Sequence, residues 1–484
     1  MTNALTTTTS YLYAFRRAFL PVCAILFAGA MPRPAVAQGA QSAATVAELR
    51  QRLDEIERTM QMQVAAVREE IARLEGTSPP PPSQPPAAPL VSETAQAPTF
   101  GRDRESVARV NNEPLDPTLV GFVPIPGTPA RVKIDGYAKL DTNVDGKPAG
   151  NSDLFLPSSI PVGLTEAQQV MSTTMHVRQT RLNVDFRSPT RLGGDLRTYA
   201  EVDLFGPNGA PDPRMRHFYG QVMNVLVGHT WTTFTDIDAQ PDTLNLSGPT
   251  GISLLRQAQV RYTQPLAARQ SLAVAIERPQ TQAPILTDSG AAYNPAPDLI
   301  ARYRLDRDRA HLQVASLVRM LGYRVSTRNE TTVGAGVNVS GAWKATANNL
   351  FMGVVAYGSG IARYIDNLAG QNADLDLDET STGVTALPTL AGYAAYTRQL
   401  PKRFRTTAIA GYSGIDNTEG QSASAFRDSK YFSANLLWNP AGSLDVGFEY
   451  FFGTHRLNSG EDAHASRLQF SAKYDFFRKR QVEP

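Results

Sequence analysis

Seven cationic side chains occupy positions where they can act on a solute without making or breaking a bond. Arg181, Arg197, Arg261, Arg302 and Arg304 fall on the polar positions of segments that alternate apolar and polar residues, and Lys133 and Lys139 do so in an earlier segment. If those faces line a narrow, wet passage with low-dielectric walls, the cations concentrate anions and repel cations. The planar guanidinium also matches the geometry of a carboxylate. Asp185, Glu201 and Asp203 share the same face, and pairing with the arginines would weaken the field. Residues 235–251 carry Asp236, Asp238 and Asp242 among Pro241, Gly248, Pro249 and Gly251. This segment is predicted to fold inward and narrow the passage opposite the arginines; the alternative is an ordinary surface loop.

Other chemistry finds less support. Asp374, Asp376, Asp378 and Glu379 form an acidic run, but the spacing lacks the central glycine and terminal glutamate of a calcium loop, so it reads as a solvated loop with no metal. His176, His217, His229, His311, His455 and His464 offer bases, yet no Gly-x-Ser-x-Gly elbow accompanies them, and no catalytic residue or cofactor is assigned. The single cysteine, Cys23, lies in the N-terminal apolar stretch, which leaves the rest of the chain without disulfides or thiolate metal sites.

The elements that must position these residues are strands. From Arg131, Val132, Ile134, Gly136, Ala138 and Leu140 alternate with Lys133, Asp135, Tyr137, Lys139 and Asp141. The same period recurs around Leu182 to Phe186, Leu196 to Leu204 and Val333 to Val339. Sixteen strand candidates begin near residues 131, 173, 194, 214, 225, 253, 270, 297, 310, 331, 349, 388, 403, 429, 442 and 464. Short turns, such as those at residues 223–224, 306–309 and 401–402, take turns with long polar loops. Short connections at one end and long ones at the other mark an all-β transmembrane barrel of about 16 antiparallel strands, with its apolar face to lipid and its polar face to water. Phe404, Tyr412, Tyr431, Phe432, Trp438, Phe448, Tyr450, Phe451 and Phe452, near strand ends, fit interfacial aromatic girdles.

Ahead of the strands, Arg16 and Arg17 precede an apolar stretch, and Ala35-Val36-Ala37 is a small-x-small cleavage pattern, so residues 1–37 read as a signal peptide. A twin-arginine signal and a lipidation box at Cys23 are weaker readings of the same stretch. Removing residues 1–37 takes away Arg16, Arg17 and Arg33 and no acid, which leaves 44 basic against 45 acidic residues, net −1. A balance of that kind gives no reason to expect a nucleic acid partner. Residues 45–76 repeat a heptad with Val46, Leu53, Met60, Val67 and Leu74 at a, predicting a short α-helical coiled coil in the periplasm. Residues 77–130 form a proline-rich linker and lead-in, residues 131–477 the barrel, and residues 478–484 a tail past Phe476-Phe477.

Residues 124–141 (PIPGTPARVKIDGYAKLD), 178–188 (RQTRLNVDFRS), 199–203 (YAEVD) and 219–236 (YGQVMNVLVGHTWTTFTD), in that order after the heptads, resemble the DcaP-like family of trimeric outer-membrane porins. The resemblance implies a sixteen-stranded barrel, a homotrimer in the outer-membrane lipid bilayer, a periplasmic coiled coil, and a pore favouring small anionic solutes, dicarboxylates included. The barrel-insertion machinery becomes a partner, although the chain departs from the usual aromatic C-terminus. The rival readings are a structural tether reaching the cell wall through the coiled coil and a barrel hydrolase.

Overall fold

The computed structural model describes residue 119 and residues 121–476, apart from 192–194, 208–210, 285–289, 326–327 and 378–382. The signal peptide, the coiled coil, most of the linker and the tail from residue 477 lie outside the described residues.

Alternating residues drive long antiparallel strands. The first half of the barrel comprises β1 (Arg131–Asp145), β2 (Arg181–Pro189), β3 (Asp195–Asp203), β4 (Arg214–Val222), β5 (Val225–Trp231), β6 (Arg256–Ala267), β7 (Gln270–Glu277) and β8 (Asp298–Arg307). The second half comprises β9 (Ala310–Val325), β10 (Arg328–Thr346), β11 (Asn349–Ser359), β12 (Pro388–Gln399), β13 (Phe404–Ile415), β14 (Phe426–Trp438), β15 (Leu444–Leu457) and β16 (Asp462–Asp475). Each pairs with its neighbours in sequence, and β16 returns to β1 with Tyr137 opposite Asp475. The sheet is therefore a closed 16-strand barrel with no free edge. Its turns after β4, β6, β8, β10, β12 and β14 share one end, as expected. At the other end the β9–β10 connection departs from the long-loop pattern: it spans only residues 326–327, and two of the longest strands project as a hairpin. The second strand also differs from expectation, because Ser172–His176 pairs separately with the top of β1 before β2 begins at Arg181.

The outer face is apolar, with Leu182, Val260, Val274, Leu299, Val318, Val337, Val355, Leu436 and Phe448 exposed. The inner face is not uniformly polar, which corrects the simple inside-out expectation. Inside β10 to β15 it carries Ala342, Leu350, Met352, Val354, Tyr393, Ala395, Ile409, Tyr431 and Phe451, and Phe155, Ile160, Ala239 and Ile252 from two loops pack on them. A third loop, residues 360–387, buries Ile361, Tyr364, Ile365 and Leu368 against Phe234 and the inner wall. Chain that enters a barrel needs an apolar surface to bury against. The inner wall supplies it. Tyr431 and Phe451 thus belong to this core beside Phe155, not to an interfacial girdle. Gly251 shows how close the loop comes: at φ +91°, a Cβ there would fall 2.4 Å from the backbone of Gly392.

Candidate pore constriction

The inward loops leave a cavity of about 300 Å³ against β2, β4 and β6. Arg181, Arg214, Arg216 and Arg256 line it on the strand side, with Trp231. Asp238, Asp242 and Ser247 line it from residues 232–255, and Asp366 from residues 360–387. Arg181 opens β2, and Arg214 and Arg216 alternate around Met215 on β4. A register shift where Glu201 faces His217 and Val202 faces Met215 makes a bulge there, so that Arg216 and His217 both turn inward. Arg256 opens β6, its guanidinium 4.4 Å from the centre of the Trp231 ring.

Carboxylates behind Arg181, Arg214 and Arg216 hold them in place. Glu201 accepts from Arg216 Nε at 2.6 Å and from the Tyr199 hydroxyl at 2.8 Å, with Arg181 at 3.8 Å. Asp203 bridges Arg214 at 2.7 Å and Arg216 at 3.1 Å. Neither acid lines the cavity.

The loop of residues 232–255 is tied down along its length. Arg304 pairs with Asp238 at 2.9 Å and Asp236 at 3.3 Å. Asp236 also meets His311 Nε2 and the Ser340 hydroxyl, each at 2.8 Å. Burial alone would raise the Asp236 carboxyl, but His311, Arg304 and Ser340 hold it well below the usual carboxylate range. Arg405 grips Asp242 at 2.5 Å. Glu449 accepts from the Leu244 N–H at 2.5 Å and the Thr243 hydroxyl at 2.8 Å, while Lys139 donates to the Leu244 carbonyl at 2.8 Å. Asn245 joins this loop to residues 146–180 by donating to the Phe155 carbonyl at 2.9 Å.

Of the residues singled out from sequence, Arg181, Asp238 and Asp242 meet at the cavity. Arg197 lies toward the short-turn end on Asp185, at 3.0 Å. Arg261 and Arg302 are fully buried on the inner faces of β6 and β8, outside the cavity lining. Arg304 anchors the loop from behind through Asp236, Lys139 is engaged by Gln179 and Leu244, and Lys133 lies 3.5 Å from Asp135. The acidic run is not a solvated loop where it is described: Asp374 is fully buried against Arg319 at 3.1 Å, and Asp376 accepts from the Thr418 hydroxyl. Asp378 and Glu379 lie outside the described residues.

Arg214, Arg216, Arg256 and Asp366 were not found from sequence. The Arg214-Met215-Arg216 alternation was legible, but the bulge breaks its period at His217. Arg256 abuts the loop, where alternation has just begun. Nothing local marks Asp366.

A family model described as the DcaP outer membrane protein matches residues 118–476. No curated protein matches the chain in sequence. Among solved structures, the outer membrane channel DcaP of Acinetobacter baumannii superposes with a TM-score of 0.64 at 22% identity, covering 73% of this chain and 99% of that one. An anion-selective porin from Comamonas acidovorans superposes with a TM-score of 0.50 at 9% identity, covering 72% and 100%.

Proposed function

This chain belongs to the DcaP outer membrane protein family, and from that premise we propose that it is a porin through which small anionic solutes, dicarboxylates among them, diffuse passively. The observation that carries the anionic preference is the convergence of Arg181, Arg214, Arg216 and Arg256 on one wall of the cavity. The carboxylates facing them from the loop, Asp238 and Asp242, are already engaged by Arg304 and Arg405. A solute carboxylate in the cavity meets guanidinium groups held at fixed positions by Glu201 and Asp203, so little side-chain freedom is lost on contact. A second carboxylate on the same solute gains from a second guanidinium. Passage needs attraction that is weak enough to release, and partly neutralised arginines supply it. The proposal includes a homotrimer in the outer membrane, with residues 45–76 in the periplasm.

Reversal potential in a planar bilayer under a salt gradient tests this reading. Wild type is expected to favour chloride over potassium. Replacing Arg181, Arg214 and Arg216 together by alanine should lower that preference about tenfold, since each charge within a Debye length adds to the local potential. An unchanged ratio in the triple variant, inserted to the same level, would remove the arginines from the selectivity mechanism. Absence of any current from correctly inserted wild type would favour the structural tether.

A further inference from the structure

Asp366 differs from the other carboxylates at the cavity. Asp238 and Asp242 are in ion pairs with Arg304 and Arg405, whereas among the described residues no ion pair is formed by Asp366. It sits on the inward loop of residues 360–387, half-buried, its surface open to the cavity. Its backbone N–H donates to the Ile252 carbonyl at 3.0 Å, and next to it Ile365 forms a bridge with Ser253. Two loops are joined at that point. The position of the carboxyl is therefore set by backbone contacts and by the buried anchors Ile365 and Leu368, not by a cationic partner.

We propose that Asp366 is a specificity-determining residue of the constriction, a negative charge set among the cavity arginines that reduces anion preference when ionised and releases it when protonated. This rests on the anion-porin reading. Every charged element around the cavity bears on it: Arg181 from β2, Arg214 and Arg216 from β4, Arg256 from β6, and Asp238 and Asp242 from the facing loop. Ser247 lines the same cavity from the facing loop. Burial pushes the Asp366 carboxyl up to about 6, against the opposing pull of Ser247, Arg256 and Arg214. Because the carboxyl is neutral below that value and charged above it, anion preference falls as pH rises through about 6. Two imidazoles, of His217, bonded to Thr230, and of His311, bonded to Asp236, also lie inside the barrel. Attribution to Asp366 therefore requires a comparison of variants.

The experiment is the chloride-to-potassium permeability ratio of the full-length protein in planar bilayers at pH 4.5, 6 and 7.5, for wild type, Asp366→Asn and Asp366→Glu. Asp366→Asn at pH 7.5 is expected to raise the ratio about threefold, the effect of removing one charge from a narrow passage. It should also flatten the step between pH 7.5 and 4.5, while Asp366→Glu keeps the step. Equal ratios for wild type and Asp366→Asn at pH 7.5, or an undiminished step in Asp366→Asn, would overturn the role of Asp366 and leave the anion porin standing. A cation-selective wild type whose ratio still moves toward chloride in Asp366→Asn would overturn the anion preference and uphold Asp366. No current in wild type would overturn both. If Asp366→Asn fails to insert, Asp366→Ser takes its place and is read by the same criteria: a raised ratio at pH 7.5 and a flattened step uphold the proposal, and an unchanged ratio or an undiminished step refutes it.

Discussion

The arginines at the cavity are held by acids that also weaken them. Glu201 touches Arg216 and lies within 4 Å of Arg181, and both guanidinium groups are buried. Removing one member of such a cluster leaves buried charge uncompensated. Glu201→Gln should therefore destabilise the folded barrel by about 2–4 kcal/mol, read as a lower urea midpoint for loss of the compact form on a cold gel. The same change should raise chloride preference, because Arg181 and Arg216 are left less neutralised. An unaltered midpoint would mean that water in the lumen already screens the cluster. Stability and selectivity thus pull in opposite directions at this residue, and the pair of readouts distinguishes a positioning acid from an inert one.

A loop inside a barrel holds its shape only through contacts with the wall. Residues 232–255 place Ala239 and Ile252 in the apolar core, and polar anchors set the height of the loop. Glu449 on β15 is the anchor nearest the turn at Thr243 and Leu244, reaching them from a strand that the loop does not follow in sequence. Glu449→Ala removes two hydrogen bonds from one point and leaves the Leu244 N–H without that acceptor. Single-channel conductance is expected to rise about 1.5-fold with noisier open levels, as a loosened constriction widens on average. Conductance and noise equal to wild type would assign the loop's position to its apolar anchors alone. The short β2 to β5, of nine, nine, nine and seven residues, stand opposite the long β9 and β10, of sixteen and nineteen. The cavity arginines of β2 and β4 lie on the low-walled side, away from the apolar inner wall on which the loops pack.

Closure of β16 onto β1 satisfies the strand ladder within one chain, so each barrel needs no partner to complete its backbone hydrogen bonding. We propose that barrel walls in the membrane carry the contacts of the proposed trimer, since the predicted heptads offer only five a positions. Deleting residues 46–74 is therefore expected to leave a barrel trimer on a native gel, with current per trimer unchanged. A monomer would transfer the trimer contact to the heptads.

Strand number, strand faces and the short turns were legible in the chain because a strand's side chains alternate with a period of two whatever the rest of the molecule does. That period assigned Arg181, Arg197, Arg261, Arg302 and Arg304 to the inside, and the inward faces of β2, β3, β6 and β8 carry them. Which of them meet a solute was decided elsewhere. Height along the barrel depends on the accumulated stagger between neighbouring strands, and a bulge at Arg216 shifts it by one residue. Exposure inside the lumen depends on where three loops come to rest, and they rest on an apolar inner wall that alternation alone could not tell from a lipid face. Tyr431 and Phe451 show the ambiguity, and Asp374, read as solvated yet buried on Arg319, shows it for a charge. Asp366 is the extreme case: its chemistry comes from Arg214, Arg256 and Ser247, groups more than a hundred residues away in the chain. Local sequence sets which way a side chain points; only the closed barrel and its infolded loops set what it points at.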